Sequence, residues 1–141
     1  MSQTPTVWLK AIGTSKEPLP AQWLKERPDF LTRVTFAKQP KSIKSGDLIV
    51  YYAHGHKKIF AIGRATENGD TAAWDDTATT KYGYSMGIRI LVAIPKMQIA
   101  LDSPMSPGEN SYIQLSATEY GLIVEALNTK LLDAAKKTWV H

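Results

Sequence analysis

Two apolar runs, residues 48–53 (LIVYYA) and 59–66 (IFAIGRAT), flank the short polar loop 54–58 (HGHKK). Both runs are rich in β-branched and aromatic residues, which favour strands. A short polar loop that contains glycine between two such runs is typical of a β-hairpin. We therefore predict two paired strands here, entered through a turn at residues 44–47 (KSGD).

Further strands and helices are predicted on both sides of this hairpin. The other predicted strands are residues 6–12, 33–37 and 88–94, with a candidate at 97–101. A short helix is predicted within residues 18–28, and Ser116 and Glu119 have the S-x-x-E spacing of a capping box that starts a helix immediately afterwards. We expect Asn128 to interrupt this helix before a second helical segment at 130–139. Strands in the middle and helices at the ends indicate a single α+β domain with a mostly antiparallel sheet.

The composition is that of an ordinary globular domain. The chain has 141 residues, of which 43% are apolar and 21% charged, enough to bury a hydrophobic core. It has no cysteine, which excludes disulfides and thiolate chemistry. No apolar stretch approaches the roughly 20 residues that cross a bilayer, and residues 1–5 (MSQTP) begin no secretion signal. We therefore expect a cytoplasmic protein without a membrane partner.

Positive charge is concentrated in residues 33–64, which hold seven basic residues against one acidic residue, Asp47. The whole chain carries a formal net charge of +4, so the remainder is slightly negative. Clustered positive charge attracts a phosphate backbone, because each contacted phosphate releases condensed counterions. The alternative is a solvated basic face that serves solubility only.

One segment matches a catalytic motif letter for letter. Residues 83–87 (GYSMG) fit the G-x-S-x-G pattern of serine hydrolases. That motif requires a strand before the serine and a helix after it, whereas here the predicted strand follows. The only histidine after Ser85 is His141, at the end of the chain. We therefore predict no serine hydrolase and no catalytic residue, with an enzyme of unrecognised type as the alternative.

Metal and acid/base chemistry are also weakly supported. His54 and His56 could bind a metal through their imidazoles, but no third ligand completes the set, and Lys57 and Lys58 would repel a divalent cation. The adjacent carboxylates Asp75-Asp76 are expected to be solvated. We therefore predict neither a metal nor a cofactor.

The aromatic residues indicate a pocket. Tyr51 and Tyr52 are neighbours in a predicted strand, so their rings point to opposite faces and one ring is expected outside the core. Residues 67–86 form a long polar segment that contains Trp74, as functional loops often do. We expect Trp74 to close over a cavity near Gly63, where the missing side chain would leave room for a flat ring. The alternative for each ring is ordinary core packing.

Three segments in this order, 46–53 (GDLIVYYA), 60–66 (FAIGRAT) and 70–74 (DTAAW), resemble the central signature of the EVE domain. That signature is a G-D turn, a strand ending in tyrosine, a second strand with an inner glycine, and a loop carrying D-x-T-x-aromatic. The EVE domain is a relative of the YTH and PUA domains. The likeness covers about residues 46–127, while the segment 18–40 has no counterpart that we can place.

The resemblance implies a PUA-like pseudobarrel with helices packed at its ends, and a pocket for a single base flipped out of nucleic acid. By position it implies Tyr52, Asp70 and Trp74 as pocket residues, and Trp8 and Tyr82 also match. Asp70 could accept a hydrogen bond from an exocyclic amine of the base.

We therefore expect a non-enzymatic module that recognises a single base, modified or unmodified, in RNA or DNA. Four basic residues are expected to follow the phosphate backbone: Lys44, Lys57, Lys58 and Arg64. The alternatives are a small-molecule sensor that uses the same pocket and an interaction module of a toxin, restriction or stress-response system.

Overall fold

The structure is a computed structural model that describes residues 5–12, 31–36, 38–54, 56–74, 83–94, 101–103, 107 and 112–139. Within these residues, eight strands form one sheet and a single long helix follows it. The strands are β1 Val7–Ile12, β2 Arg33–Phe36, β3 Leu48–Ala53, β4 Lys58–Ala65, β5 Ala73–Trp74, β6 Tyr84–Ala93, β7 Leu101–Asp102 and β8 Tyr112–Leu115. A 3₁₀ turn covers Gly69–Thr71, and the helix α1 covers Ala117–Trp139.

The sheet is mixed and strongly curled. Its strand order is β2-β6-β4-β3-β1-β8, with β5 paired to β6 and β7 paired to β4. Every pair is antiparallel except β1 with β3. Phe36 of β2 and Tyr112 of β8 lie on the two end strands, yet their ring centroids are only 5.5 Å apart. The sheet therefore bends into a half-barrel whose ends approach each other, which confirms the α+β class and the mostly antiparallel sheet.

The strand registers divide the side chains into two faces. Side chains alternate along a strand, and cross-strand partners share a face. The inner, concave face carries Trp8, Lys10, Ile49, Tyr51, Gly63, Met86, Phe36 and Tyr112. The outer face carries Val7, Leu9, Leu48, Val50, Tyr52, Arg64, Arg89 and Arg33. Apolar residues occupy both faces of β3, so all six residues of that strand are buried.

Most predicted elements are confirmed, with four differences. β6 begins at Tyr84, four residues earlier than predicted, and neither β5 nor β8 was predicted. Of the candidate strand 97–101, only residue 101 is described, and it begins β7. The capping box forms as expected, since the Ser116 amide donates to Glu119 Oε1 at 2.8 Å and the Glu119 amide donates to Ser116 Oγ at 3.1 Å. The predicted interruption at Asn128 is wrong, because an exposed asparagine weakens a helix by less than about 1 kcal/mol. Within the described residues no helix is both long and apolar enough to cross a membrane.

The first part of the long segment after β4 is ordered by the loop that precedes β3. The Gly69 amide donates to the Ile43 carbonyl at 2.7 Å, and Gln39 Nε2 donates to the carbonyls of Asp70 and Ala72, each at 3.0 Å. A Cβ added at Gly69 would lie 1.7 Å from the Pro40 carbonyl oxygen, so only glycine permits this close approach. The turn that leads into β5 is therefore fixed to the body of the domain. The predicted helix at 18–28 lies outside the described residues.

Candidate functional site

Three aromatic rings meet on the inner face where the ends of the curled sheet approach each other. The Trp8 and Tyr112 rings pack edge to face, with centroids 5.4 Å apart and planes at 77°. The Phe36 and Tyr112 rings also pack edge to face, with planes at 82°. Phe36 is fully buried, whereas Trp8 and Tyr112 are half-buried. Two of these large rings therefore keep part of their surface in contact with solvent.

An aromatic position on β5 lies in line with this cluster. Phe36 pairs with Tyr84 across β2 and β6, and Trp74 pairs with Tyr84 across β5 and β6. Tyr84 is half-buried. Five aromatic residues on five strands thus follow one another from β1 to β5, and we call them the aromatic row: Trp8, Tyr112, Phe36, Tyr84 and Trp74. Of the predicted pocket residues, Trp8 belongs to this row by ring contact and Trp74 by its backbone register with Tyr84.

Asp47, the second residue of the G-D signature, holds one end of this row in place. Its carboxylate accepts three hydrogen bonds: from the Thr6 amide at 3.1 Å, from Trp8 Nε1 at 3.0 Å and from the Lys44 amide at 2.9 Å. The residue is only 6% exposed. Gly46, just before it, has a φ of +92°, which favours glycine. This turn therefore ties the start of β1 and the Trp8 indole to the start of β3.

A lysine is buried beside the aromatic row. Lys10 follows Trp8 by two residues on β1 and is 1% exposed. Its ammonium nitrogen lies 2.7 Å from the Ala11 carbonyl oxygen, to which it donates, and 4.9 Å from the centroid of the Phe36 ring. Burial lowers the pKa of Lys10 to about 7, because the charged form loses its hydration. Near neutral pH this amine therefore exchanges between its charged and neutral forms.

The structure does not bring all predicted pocket residues together. Tyr51 and Tyr52 are both buried, so the expectation that one ring leaves the core is wrong. The reason is that both faces of β3 are covered. Tyr52 lies on the outer face and Trp8 on the inner face, so the two rings cannot line one cavity. Tyr82 lies outside the described residues, and Asp70 is exposed in the 3₁₀ turn.

The space beside Gly63 is filled by protein. A Cβ added there would lie 2.6 Å from Ile88 Cδ1 and 3.2 Å from the Arg89 carbonyl oxygen. The missing side chain of Gly63 therefore allows the neighbouring strand β6 to pack closely. The prediction that it leaves room for a flat ring is wrong.

The four basic residues predicted to follow a phosphate backbone lie in two separate places. Arg64 and Lys44 are exposed near the C-terminal end of β4, where the Gly46 amide donates to the Ala65 carbonyl at 2.8 Å. Lys57 and Lys58 lie at the other end of β4, roughly 20 Å away. Lys58 is paired with Asp102. One short stretch of phosphate backbone cannot contact both places at once.

The remaining motifs show no catalytic or metal-binding geometry within the described part of the chain. Ser85 lies inside β6, paired with β2 and β5, and its Oγ accepts a hydrogen bond from Arg33 Nε at 2.6 Å. This serine is therefore not on the sharp strand-to-helix turn that the hydrolase motif requires. Among the described residues, no group of three or more metal-ligating side chains is present. Asp75-Asp76 lies outside them.

Sequence reasoning missed five residues of this site: Lys10, Phe36, Tyr84, Tyr112 and the anchoring Asp47. Lys10 follows Trp8 by two residues in a predicted strand, so both side chains point to the same face. This spacing could have indicated an inward-facing lysine. Tyr112 could have been found from the pattern at 112–115 (YIQL), had it been read as a strand.

The chain matches no protein-family model, and no curated protein matches its sequence. The resemblance to the EVE domain therefore stays a prediction from the three signature segments. The half-barrel is compatible with the pseudobarrel that the resemblance implies.

Proposed function

We propose that this domain binds nucleic acid without catalysis and recognises a single base, modified or unmodified, at the aromatic row. The observation that carries the proposal is the convergence of aromatic residues from four strands on the inner face, where Trp8, Tyr84 and Tyr112 remain half-buried. Rings that served only the core would gain from complete burial. A base that stacks on these partly exposed rings would cover them.

The site is preorganised for a flat ligand. The hydrogen bond from Trp8 Nε1 to Asp47 and the edge-to-face contact with Tyr112 fix the indole before any ligand arrives. Binding therefore loses little conformational freedom at this ring. Asp70 lies exposed four residues before Trp74, and we propose that it accepts a hydrogen bond from an exocyclic amine of the base.

We further propose that the half-barrel is a PUA-like pseudobarrel of the EVE type, and that Lys44 and Arg64 contact phosphates beside the bound base. These two residues support the proposal because both are exposed at the end of the sheet where Asp47 holds Trp8. Lys57 and Lys58 are not part of this site, because they lie at the far end of β4.

Replacement of Tyr112 by leucine tests the role of the aromatic row. Leucine keeps an apolar contact with Phe36 but has no ring face on which a base can stack. We expect the affinity for the preferred single-stranded RNA or DNA oligonucleotide to fall by about 5- to 150-fold, the equivalent of roughly 1–3 kcal/mol of stacking. Fluorescence anisotropy with labelled oligonucleotides of each base composition measures this.

Tyr120→Leu is the matched control, since Tyr120 is also half-buried but lies on α1, outside the aromatic row, and its replacement leaves the charge of the neighbouring Arg64 in place. It should bind like the unmodified domain. Equal affinities for the unmodified domain and the Tyr112→Leu variant, with both folded, would contradict the proposed site. If a small flat molecule bound at the row while no oligonucleotide did, the small-molecule alternative would replace the proposal.

A further inference from the structure

Three exposed arginines lie together on the outer face of the sheet, which we call the arginine patch: Arg33 on β2, Arg89 on β6 and Arg64 on β4. Arg64 and Arg89 are direct register partners. Arg33 pairs with Gly87, two residues before Arg89. Neighbouring strands are about 4.8 Å apart, so the three long side chains can reach a common ligand.

The patch carries little compensating negative charge. Arg33 Nη2 lies 3.7 Å from Glu67 Oε1, and Arg33 also donates to Ser85. Arg64 and Arg89 form no ion pair with any residue in the described ranges. Among the described residues, three positive charges therefore share one carboxylate in this part of the surface.

Within the described part of the chain, this arrangement is electrostatically unfavourable. Like charges directly opposite each other weaken an antiparallel pair, as Arg64 and Arg89 do here. Val7, Leu48, Arg64 and Arg89 are successive cross-strand partners on β1, β3, β4 and β6. The first two are buried, whereas the two arginines are exposed. The repulsion is relieved when an anion binds between the two guanidinium groups.

We infer that the arginine patch binds phosphate groups of the same nucleic-acid strand whose base occupies the aromatic row, an inference that rests on the proposed function. Guanidinium groups bind phosphate oxygens through paired, charge-assisted hydrogen bonds, which favours a phosphodiester as the ligand. β2 is the end strand of the sheet and carries Phe36 on the inner face and Arg33 on the outer face. The two residues are three positions apart on β2, roughly 10 Å along the strand, so one nucleic-acid strand can reach both sites.

The test compares two double variants that each remove two positive charges. Arg64→Gln/Arg89→Gln acts on the patch, and Lys57→Gln/Lys130→Gln acts on exposed lysines elsewhere. Binding of labelled mixed-sequence single-stranded oligonucleotides is measured by anisotropy over a range of potassium chloride concentrations. We expect the patch variant to reduce the slope of log affinity against log salt by about 1.4, since each phosphate contact to a single strand contributes about 0.7. The lysine variant should keep the slope of the unmodified domain.

Two further measurements complete the test. The patch variant should melt at the same temperature as the unmodified domain or higher, because it loses a like-charge repulsion. Arg64→Lys/Arg89→Lys should retain the salt slope. If the Gln variant folds and binds with an unchanged slope, the inference and the proposed phosphate contact of Arg64 are wrong, while base recognition at the aromatic row stands. If the unmodified domain binds no oligonucleotide, both are wrong. Competition by polyglutamate as strong as by the oligonucleotide would assign the patch to acidic proteins and overturn the inference.

Discussion

Replacing Lys10 with methionine should increase the free energy of unfolding at neutral pH. It should also abolish the increase of that free energy with pH that Lys10 causes in the unmodified domain. Burial lowers the pKa of Lys10 from 10.5 to about 7 in the folded state. Between these values the unfolded chain binds more protons than the folded domain, so the free energy of unfolding increases as the pH rises. At pH 7 the lysine therefore destabilises the fold by roughly 4 kcal/mol relative to a neutral amine. Methionine fills a similar volume without this penalty.

Urea unfolding at pH 7 and at pH 9 measures the effect. The unmodified domain should gain about 2 kcal/mol from Lys10 between these pH values, and the Lys10→Met variant should lack that gain. Lys130→Met, at an exposed position of α1, should keep the pH profile of the unmodified domain. Identical profiles for the unmodified domain and Lys10→Met would show that the folded interior accommodates the charged amine.

Replacing Asp47 with alanine should destabilise the domain by about 3–5 kcal/mol. Three donors lose their acceptor at once: the amides of Thr6 and Lys44 and the indole nitrogen of Trp8. Each hydrogen bond to a charged group contributes about 1.5–3 kcal/mol, and buried donors left without an acceptor add to the loss. Chemical denaturation measures the change in the free energy of unfolding.

Two variants provide the comparison for Asp47. Asp70→Ala removes an exposed carboxylate and should change stability by less than about 0.5 kcal/mol. Asp47→Asn keeps one acceptor oxygen and should be intermediate. A loss below about 1 kcal/mol for Asp47→Ala would mean that solvent replaces the carboxylate, and that Trp8 is not held as described.

The parts of the fold that were predicted depend on local sequence. The β3–β4 hairpin follows from residue type and loop length, and the start of α1 follows from a capping box within four residues. The early start of β6 depends instead on pairing with β5 and with β2, and β2 is far away in the chain. Tyr51 and Tyr52 are buried together because other elements cover both faces of β3, a property that alternation along one strand cannot reveal.

The candidate site was predictable only in part for the same reason. Trp8 and Trp74 stand out as large aromatic residues next to strand and turn signals. Tyr112 lies beside Trp8 because β8 pairs with β1. It also contacts Phe36, because the sheet curls until β2 approaches β8. A glycine inside a strand often marks a place where a ligand approaches closely. At Gly63, however, the side chain of Ile88 on the neighbouring strand fills the space.

The salt dependence of oligonucleotide binding by the unmodified domain tests the proposed function most directly. Affinities for mixed-sequence single-stranded RNA and DNA are measured across a series of salt concentrations. We predict measurable binding at low salt and a linear fall of log affinity with log salt, each contacted phosphate contributing about 0.7 to the slope. The absence of binding at low salt, or an affinity that salt leaves unchanged, would contradict recognition of a base within a phosphate backbone.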